Sequence, residues 1–211
     1  MAMRMSTIQP APQLTRAFFR RDPVTVARAL LGQRLVRVLA DGTRLAGIVV
    51  ETEAYLGAID RAAHTWNGRR TARNASMWRD GGHAYVYFTY GMHFCMNVVT
   101  ETEGKPTAVL LRALEPMEGL ERMRRFRGRA CRRDTDLCSG PAKLCQALRI
   151  DRTLDGTDLT ASGALFIERV RWRCLAKEKI AVTPRIGVGY AEEWAEKLLR
   201  FHVAGHEHVS G

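Results

Sequence analysis

The 211-residue sequence predicts a single α+β domain built on antiparallel strands, and three observations support this class. The chain is long enough to bury a core without disulfides, and 46% of its residues are hydrophobic. Segments that alternate like strands follow one another across short turns, which is typical of antiparallel pairing. Helical patterns stand between them. No repeat or linker divides the chain, so we expect a flexible N-terminal tail over residues 1–13 and one domain over residues 14–211.

The first half of the domain predicts a helix and a hairpin. In "DPVTVARALLG", Asp22 can cap a helix, Pro23 suits its first turn and Gly32 can end it. The segments "RLVRVLA" and "TRLAGIVVETEAY" then flank Asp41-Gly42, the preferred pair for a two-residue hairpin loop. We therefore expect two antiparallel strands joined at this pair.

The remaining elements follow from similar patterns. A polar stretch, "NGRRTARNASMWRDGG", predicts a long loop, and "YVYFTY" then turns at Gly91 into "MHFCMNVV". A buried strand is predicted for "AVLLRALEP", and helices for "MEGLERMRRF" and "GPAKLCQAL", the latter capped by Ser139. Late strands are predicted for "ALFIERVRW" and "LLRFHVAG".

Composition narrows the class of partner. The net charge of +11 favours polyanions, most commonly nucleic acid, although a merely basic surface fits it about equally well. No apolar run reaches the roughly 18 residues of a membrane span, and no secretory signal begins the sequence, so we expect a cytoplasmic protein without membrane contact. No GK[ST] phosphate loop or Gly-x-Ser-x-Gly elbow is present, which argues against NTP hydrolysis and serine esterase chemistry.

Metal binding has little support in the sequence. The five cysteines form an odd number without a Cys-x-x-Cys pair, which argues against a disulfide framework and a zinc site. His206 and His208 have a metal-binding spacing, but no carboxylate cluster accompanies them. We expect these histidines to lie in a mobile C-terminal tail, and we expect no metal.

The strand segment "VVETEAYLG" contains two candidate carboxylates. Alternation places Val49, Glu51, Glu53 and Tyr55 on one face of the strand. Glu53 beside Tyr55 could be a general base next to an aromatic platform. The alternative is a pair of solvated glutamates, and the strand pattern by itself favours that alternative.

The aromatic run leaves a similar choice. Tyr85 and Tyr87 point to one face of the strand, and Val86 and Phe88 point to the other, so most of these rings could be core. Tyr90 differs, because a residue beside glycine at a hairpin tip is normally exposed and an exposed large aromatic residue calls for a partner. Side chains of this size can wedge between DNA base steps.

Basic residues form two groups and one isolated position. "RMRRFRGRACRR" carries seven arginines, which predict the exposed face of a helix and its loop. Arg69, Arg70 and Arg73 are close in sequence to His64 and form the more suggestive group. Arg112 stands in an otherwise apolar strand, so if buried it must find a carboxylate or a phosphate.

These segments together resemble the alkyladenine (3-methyladenine) DNA glycosylase family. The resemblance covers nearly the whole chain through "LTRAFF", "ARALLGQRLVR", "VETEAYLG", "AAHTWNGR", "YVYFTYGMHFCMN", "VLLRALEP", "LCSGPAKLCQAL" and "RIGVGYAEEWA". It implies one mixed domain around a curved antiparallel sheet, with surrounding helices and a β-hairpin that enters the DNA minor groove.

The resemblance also assigns expected roles. It selects Glu53, rather than its neighbour two residues earlier, as the general base that deprotonates the attacking water. Arg112 is expected to help hold that water. Tyr55, His64 and Tyr87 are expected to form the walls of the pocket that stacks the extruded base.

Further expected roles concern selectivity and DNA contact. Asn97 matches a residue that crowds the amino group of guanine, and Leu110 matches part of the pocket floor. Tyr90 matches the residue that intercalates in the space left by the flipped nucleotide. Phosphate contacts are expected from Arg69, Arg73 and Lys143.

The expected activity is monofunctional base excision from double-stranded DNA that contains a damaged purine. The resemblance offers no Schiff-base lysine at the matched pocket positions, so we expect an abasic product, no cofactor and a monomer, in a protein of bacterial origin. Two alternatives stay open: a damage-recognition protein that flips bases without cleaving them, and a metal-dependent nuclease or RNA-binding protein.

Overall fold

In the computed structural model, which describes residues 11–210, the chain is one α+β domain around a curled antiparallel sheet. The α-helices in this range are α1 (Arg16–Phe19), α2 (Pro23–Leu30), α3 (Leu120–Arg127), α4 (Thr135–Cys138) and α5 (Pro141–Ala147). The strands are β1 (Arg34–Val38), β2 (Arg44–Tyr55), β3 (Ala84–Thr89), β4 (His93–Thr100), β5 (Thr107–Glu118), β6 (Leu165–Glu168), β7 (Ile180–Thr183) and β8 (Arg200–Val203). The predicted fold class is therefore confirmed.

The sheet has the order β3-β4-β5-β2-β1-β6, and β8 joins it through β2 and pairs with β7. The long strand β2 pairs along one side with β5, and along its other side with β1 and then β8. Antiparallel pairing on both sides of β2 satisfies its backbone groups and places this strand in the middle of the sheet. The two candidate carboxylates lie in this strand.

The pairing of β2 with β5 shifts register on both sides of Glu51. These irregularities interrupt the strict alternation of side chains, as β-bulges do. As a result, Val49 packs in the main hydrophobic core with Ala54, whereas Glu51 and Glu53 both reach Arg112 on β5. The prediction that Val49 shares a face with the two glutamates is wrong for this reason.

The main core lies between the sheet and the helices, and α2 is the clearest of the predicted helices. The Asp22 side chain accepts a hydrogen bond from Thr25 N at 2.9 Å, and Pro23 is the first helical residue, as predicted. Gly32 follows the helix with φ +81°, a conformation that glycine adopts without strain. The α2 side chains Val26 and Leu30 are fully buried.

The connection between β1 and β2 is longer than the predicted two-residue loop. The strands end at Val38 and begin again at Arg44, and Leu39 N donates to Thr43 O at 2.9 Å. Gly42 has φ +79°, and the carboxylate of Asp41 accepts from Thr43 N. This side-chain bond and the glycine conformation stabilise a longer turn than the dipeptide alone indicates.

Several predicted boundaries also change. Ser139 does not cap α5: it ends α4, its hydroxyl accepts from Lys143 Nζ at 3.4 Å, and Gly140 stands before Pro141. The late strands are shorter than predicted, because β6 ends at Glu168 and β8 covers four residues. The sequence patterns did not indicate α1, α4 or β7, which are each only four residues long.

The two ends of the described chain pack on the domain. The predicted tail falls mostly on residues 1–10, which lie outside the described range, but Pro12 O accepts from Arg169 N at 2.7 Å. At the other end, His206 lies 3.3 Å from Glu115, and His208 and Ser210 are buried. The expectation of a mobile C-terminal segment is therefore wrong as far as residue 210.

Membrane contact was not expected from the composition. Within residues 11–210, the helices are too short or too polar to cross a bilayer.

Candidate active site

A cavity of about 370 Å³ opens beside β3, β4, β5 and the segment over residues 186–190. Its volume is within the range of roughly 300–1,000 Å³ that is usual for small-molecule sites. Among the residues that line it are Tyr55, His64, Tyr85, Tyr87, Tyr90, Asn97, Leu110, Arg112, Ile186 and Tyr190. The structure thus brings all the predicted pocket residues around one cavity.

The sheet register explains this convergence. Asn97 on β4 lies opposite both Tyr85 on β3 and Leu110 on β5, and Leu110 in turn lies opposite Glu53 on β2. Residues directly opposite one another in antiparallel strands share a face, so these four positions form one row across four strands. Each strand contributes one side chain to the same side of the sheet.

One wall of the cavity is aromatic. The rings of Tyr85 and Tyr87 stack with centroids 5.3 Å apart, as alternation along β3 predicts. His64 meets the edge of Tyr87 at 4.6 Å, and its Nδ1 is hydrogen-bonded to the Tyr85 hydroxyl at 2.8 Å. Burial, reinforced by the charges of Arg73 and Arg69, lowers the pKa of His64 to about 4. The imidazole is therefore neutral at physiological pH.

Glu53 is fully buried and does not itself line the cavity, but it contacts three residues that do. Its Oε2 accepts from the Tyr55 hydroxyl at 2.9 Å, and its Oε1 accepts from Ile186 N at 2.8 Å and lies 3.2 Å from Arg112 Nη1. Burial raises the pKa of Glu53 above its ordinary value despite these partners. The alternative of two solvated glutamates is wrong, because both side chains have zero exposure.

Glu51 is held more tightly than Glu53. Its carboxylate accepts from Arg112 Nε at 2.8 Å, from Arg200 Nε at 2.6 Å, and from both the amide and the hydroxyl of Ser210. Burial raises the pKa of Glu51, but these hydrogen bonds and the charge of Arg112 outweigh burial and lower the pKa overall. Arg112 thus has the carboxylate partners that its apolar strand required.

Asn97 and Cys95 complete the β4 side of the cavity. Asn97 is buried, and its Nδ2 donates a long hydrogen bond of 3.5 Å to Tyr85 O. Burial raises the pKa of the Tyr87 hydroxyl well above its ordinary value, and the neighbouring Cys95 thiol adds to this shift. The Tyr87 hydroxyl and the Cys95 thiol are therefore both neutral at physiological pH.

Tyr90 occupies the tip of the β3–β4 hairpin and is 82% exposed. Its φ is +51° and that of Gly91 is +68°, and Met92 N donates to Thr89 O at 3.3 Å to close the turn. A left-handed conformation is strained for a bulky residue other than glycine. The chain nevertheless keeps an aromatic side chain at this strained, exposed position beside the cavity.

The predicted basic residues are divided between two places. Arg69 and Arg73 line a second cavity of about 360 Å³ that shares His64 and Tyr190 with the first. Lys143 lies on α5, bonded to Ser139, and lines neither of these cavities.

The seven-arginine segment is less available than its charge indicates. Several of its guanidinium groups pair with carboxylates: Arg122 with Asp41, Arg124 with Asp134, and Arg133 with Asp136. In residues 11–210, no three His, Cys, Asp or Glu side chains cluster as a metal site.

Some site residues carried no sequence signal of their own. Tyr85 could be anticipated because it alternates in step with Tyr87. The Ile186 amide and Tyr190 could not, because they come from an irregular segment more than 130 residues beyond Glu53 in the sequence. Tertiary packing alone brings that segment to the cavity.

Comparison with known proteins finds relatives that match nearly the whole chain. A DNA-3-methyladenine glycosylase of Mus musculus is 50% identical over 201 residues, which cover 92% of this chain and 60% of that protein. The Homo sapiens protein of the same name is 49% identical over 95% of this chain and 70% of its own length. A putative 3-methyladenine DNA glycosylase of Methanocella arvoryzae is 50% identical over 90% of this chain and 92% of its own length.

The chain spans less than two thirds of the mouse protein's length, so the shared region is one part of that protein. The family model described as methylpurine-DNA glycosylase matches residues 17–207, which include every cavity residue named above. By this match, and by its identity to the relatives, the chain belongs to the methylpurine-DNA glycosylase family.

Proposed function

We propose that this protein is a DNA repair glycosylase that flips damaged purines out of duplex DNA and hydrolyses their N-glycosidic bonds. The proposed substrates are alkylated or deaminated purines of the 3-methyladenine, 7-methylguanine, hypoxanthine and ethenoadenine class. The observation that carries this proposal is a buried carboxylate, Glu53, hydrogen-bonded to Tyr55 in the wall of an aromatic cavity. The family match and the names of the relatives support the same activity.

The cavity suits a flat and cationic guest. A base inside the duplex is out of reach, so the enzyme must unstack it, which costs a few kcal/mol and is easiest for a damaged base. Tyr55 and Tyr87 would stack the extruded base, and aromatic faces attract cations such as purines alkylated at N3 or N7. His64 is neutral at physiological pH, so it adds no repulsion toward a positive base.

For a cationic purine alkylated at N3 or N7, hydrolysis needs one proton transfer, from the attacking water. A neutral base such as hypoxanthine or ethenoadenine must in addition be protonated as it leaves. A water molecule attacks C1′ from the face opposite the base, while the C1′–N bond breaks with its electrons going to the base. Glu53 takes the proton of this water, and its raised pKa makes it a better proton acceptor than an ordinary carboxylate. Arg112 would help to hold the water and the carboxylate.

The product would be an abasic site with an intact strand. Within residues 11–210 no lysine lines the cavity, so the described residues offer no amine there for a Schiff base with C1′. We therefore assign monofunctional glycosylase chemistry, without lyase activity, to the chain.

The remaining residues would select and hold the DNA. Asn97 would crowd the amino group of guanine, and Leu110 would form part of the cavity floor. Tyr90 would fill the gap in the duplex, because it is exposed at a hairpin tip beside the cavity. Phosphate contacts are proposed for Arg69, Arg73 and Lys143. One lesion needs one cavity, so a monomer suffices.

Single-turnover base release tests this proposal. Duplex oligonucleotides with one ethenoadenine or hypoxanthine would be incubated in EDTA with the wild type, with Glu53→Gln, and with Glu193→Gln as an exposed control. We expect breaks that appear only after alkali, that vanish in Glu53→Gln while binding persists, and that are unchanged in Glu193→Gln. Borohydride should trap no covalent complex.

The alternative is a recognition protein that binds damaged bases without cleaving them. Specific binding by a folded wild type that releases no base from these lesions or from 3-methyladenine would establish that alternative.

A further inference from the structure

Arg185 and Asp60 form an ion pair in which both side chains are completely buried. The contact is bidentate, with Arg185 Nη1 at 2.6 Å from Asp60 Oδ2 and Nη2 at 2.9 Å from Oδ1. Asp60 also accepts from the backbone amides of Leu56 and Ala62, each at 3.0 Å. Neither the Arg185 nor the Asp60 side chain lines the cavity.

The guanidinium of Arg185 also contacts the strand that carries Glu53. Its Nη1 donates to the carbonyl of Ala54 at 3.0 Å, between Glu53 and Tyr55 in the sequence. Its central carbon lies 4.7 Å from the centroid of the Tyr55 ring, a cation–π distance. Arg185 therefore touches both the backbone and the ring of the β2 segment at the site.

The same residue fixes the opposite wall. Arg185 immediately precedes Ile186, whose amide donates to Glu53 at 2.8 Å. Its Nη2 donates to Trp194 O at 3.3 Å, across the segment that lines the cavity. One side chain thus ties together the two elements that supply the hydrogen-bond donors of Glu53.

Stability is a weak explanation for this pair. Desolvating two charges costs several kcal/mol per ion, and replacing a buried pair by apolar residues is often neutral or stabilising. A structural argument would apply equally to Arg34, which is buried against Glu168 far along the sheet. What distinguishes Arg185 is its set of contacts with the neighbours of Glu53.

We infer that Arg185, held by Asp60, is a positioning residue that sets the Tyr55 ring and the Ile186 amide around Glu53 for base release. This inference rests on the proposed glycosylase function. Arg185 touches neither the base nor the water and acts through these two groups. Because misplacing catalytic groups by about 1 Å can cost about 100-fold in rate, loss of this support should slow the chemical step.

Arg185 has an electrostatic effect as well. The charged and titratable groups that act on Glu53 are Arg112, Arg185, Glu51, Tyr55, Tyr87, Cys95 and Tyr190. The tyrosines and the cysteine are neutral at pH 7, so the charges that act on Glu53 are those of two cations, Arg112 and Arg185, and one anion, Glu51. Removal of the Arg185 charge should therefore make Glu53 harder to ionise.

The test compares Arg185→Lys, which keeps the charge but loses the planar fork, with Arg185→Met, which loses both. Arg34→Lys is the matched control, since it alters another buried arginine paired with a glutamate. Single-turnover release of 7-methylguanine, which leaves without further protonation, and binding to the same duplex would be measured against pH, per mole of folded protein.

We expect Arg185→Lys to lower the release rate by at least about tenfold with binding within about threefold of wild type. Arg185→Met should lower the release rate further, and the fall of its rate at low pH should begin at a higher pH than in the wild type. Arg34→Lys should change neither the release rate nor its pH dependence. Wild-type rates in both Arg185 variants would overturn the inference. The inference would also be overturned if neither Arg185 variant folds while Arg34→Lys does, because the Arg185–Asp60 ion pair would then be purely structural.

Glu53→Gln separates this inference from the proposed function. If Glu53→Gln retains base release, the assignment of the base is wrong and the positioning role falls with it. If Glu53→Gln is inactive and Arg185→Lys is fully active, the proposed function stands and the positioning role is wrong.

Discussion

Glu51 and Glu53 share a single guanidinium: Arg112 donates its Nε to Glu51 at 2.8 Å and places Nη1 3.2 Å from Glu53. Burial displaces the pKa of Glu53 upward, whereas the additional donors Arg200 and Ser210 bring the pKa of Glu51 down. Two identical side chains, two residues apart, therefore have opposite effects on stability. The charge of Glu51 stabilises the folded state, and the charge of Glu53 costs stability.

The first prediction concerns the stability of two matched variants. Glu51→Gln should lower the free energy of unfolding by about 3 kcal/mol at pH 7, because Arg200 loses its carboxylate partner and Arg112 keeps only Glu53. Glu53→Gln should change it by less than about 1 kcal/mol or raise it, because it removes a buried charge that is poorly solvated. Urea denaturation followed by circular dichroism would measure both.

Each variant is the other's control, since both exchange glutamate for glutamine in the same strand. Equal losses of stability in the two variants would contradict the prediction that the charge of Glu51 stabilises the folded state and the charge of Glu53 does not.

The pH dependence of base release gives a second prediction. A base with a raised pKa is ionised only above that pKa, so the rate should fall as the pH is lowered through it, at a pH above the ordinary carboxyl range of about 4. Release of 7-methylguanine is the appropriate reaction, because this cationic base leaves without further protonation. Single-turnover rates between pH 4 and pH 9 would locate the limb.

Any slow base release that remains in Glu53→Gln should not show this fall in rate at low pH. A limb that persists in this variant would assign the titration to another group.

A third prediction concerns His64 and acid stability. Its pKa in the folded state is about 4, below the ordinary value of 6.5. Between these values the unfolded chain binds more protons than the folded one, so stability falls as the pH is lowered from 6.5 toward 4. The loss from this residue should be at most about 3 kcal/mol.

His64→Gln should remove that part of the pH dependence. Thermal or urea unfolding at pH 7 and pH 4.5 would compare the two proteins, and an unchanged slope in the variant would refute the assignment to His64.

The hairpin tip supplies a fourth prediction. Tyr90→Gly should leave the free energy of unfolding unchanged or raise it by up to about 1 kcal/mol, because glycine accepts the positive φ without strain. The same change should weaken binding to lesion duplex and slow base release, since the exposed wedge is lost. Tyr90→Phe, which keeps the ring, should bind like the wild type. Normal binding and release by Tyr90→Gly would show that the tyrosine is not the wedge.

Much of the fold followed from local pattern. The cap of α2 by Asp22, the alternation that sets Tyr85 and Tyr87 on one face, and the exposure of Tyr90 were all predicted from a few neighbouring residues. The helix α5 was predicted too, but not its first residue, because Gly140 and Pro141 start it without a side-chain cap. Such features depend on short-range sterics and hydrogen bonds.

The sequence by itself determined the fold class, the run of most strands and helices, and, through resemblance, several of the residues that line the cavity. It could not determine the environment of each carboxylate. The irregular pairing beside Glu51 and the arrival of Ser210 and Ile186 from the far end of the chain decide which glutamate is fully bonded and which has a raised pKa. Ionisation depends on burial and on partners distant in sequence, and only the tertiary structure brings those partners together.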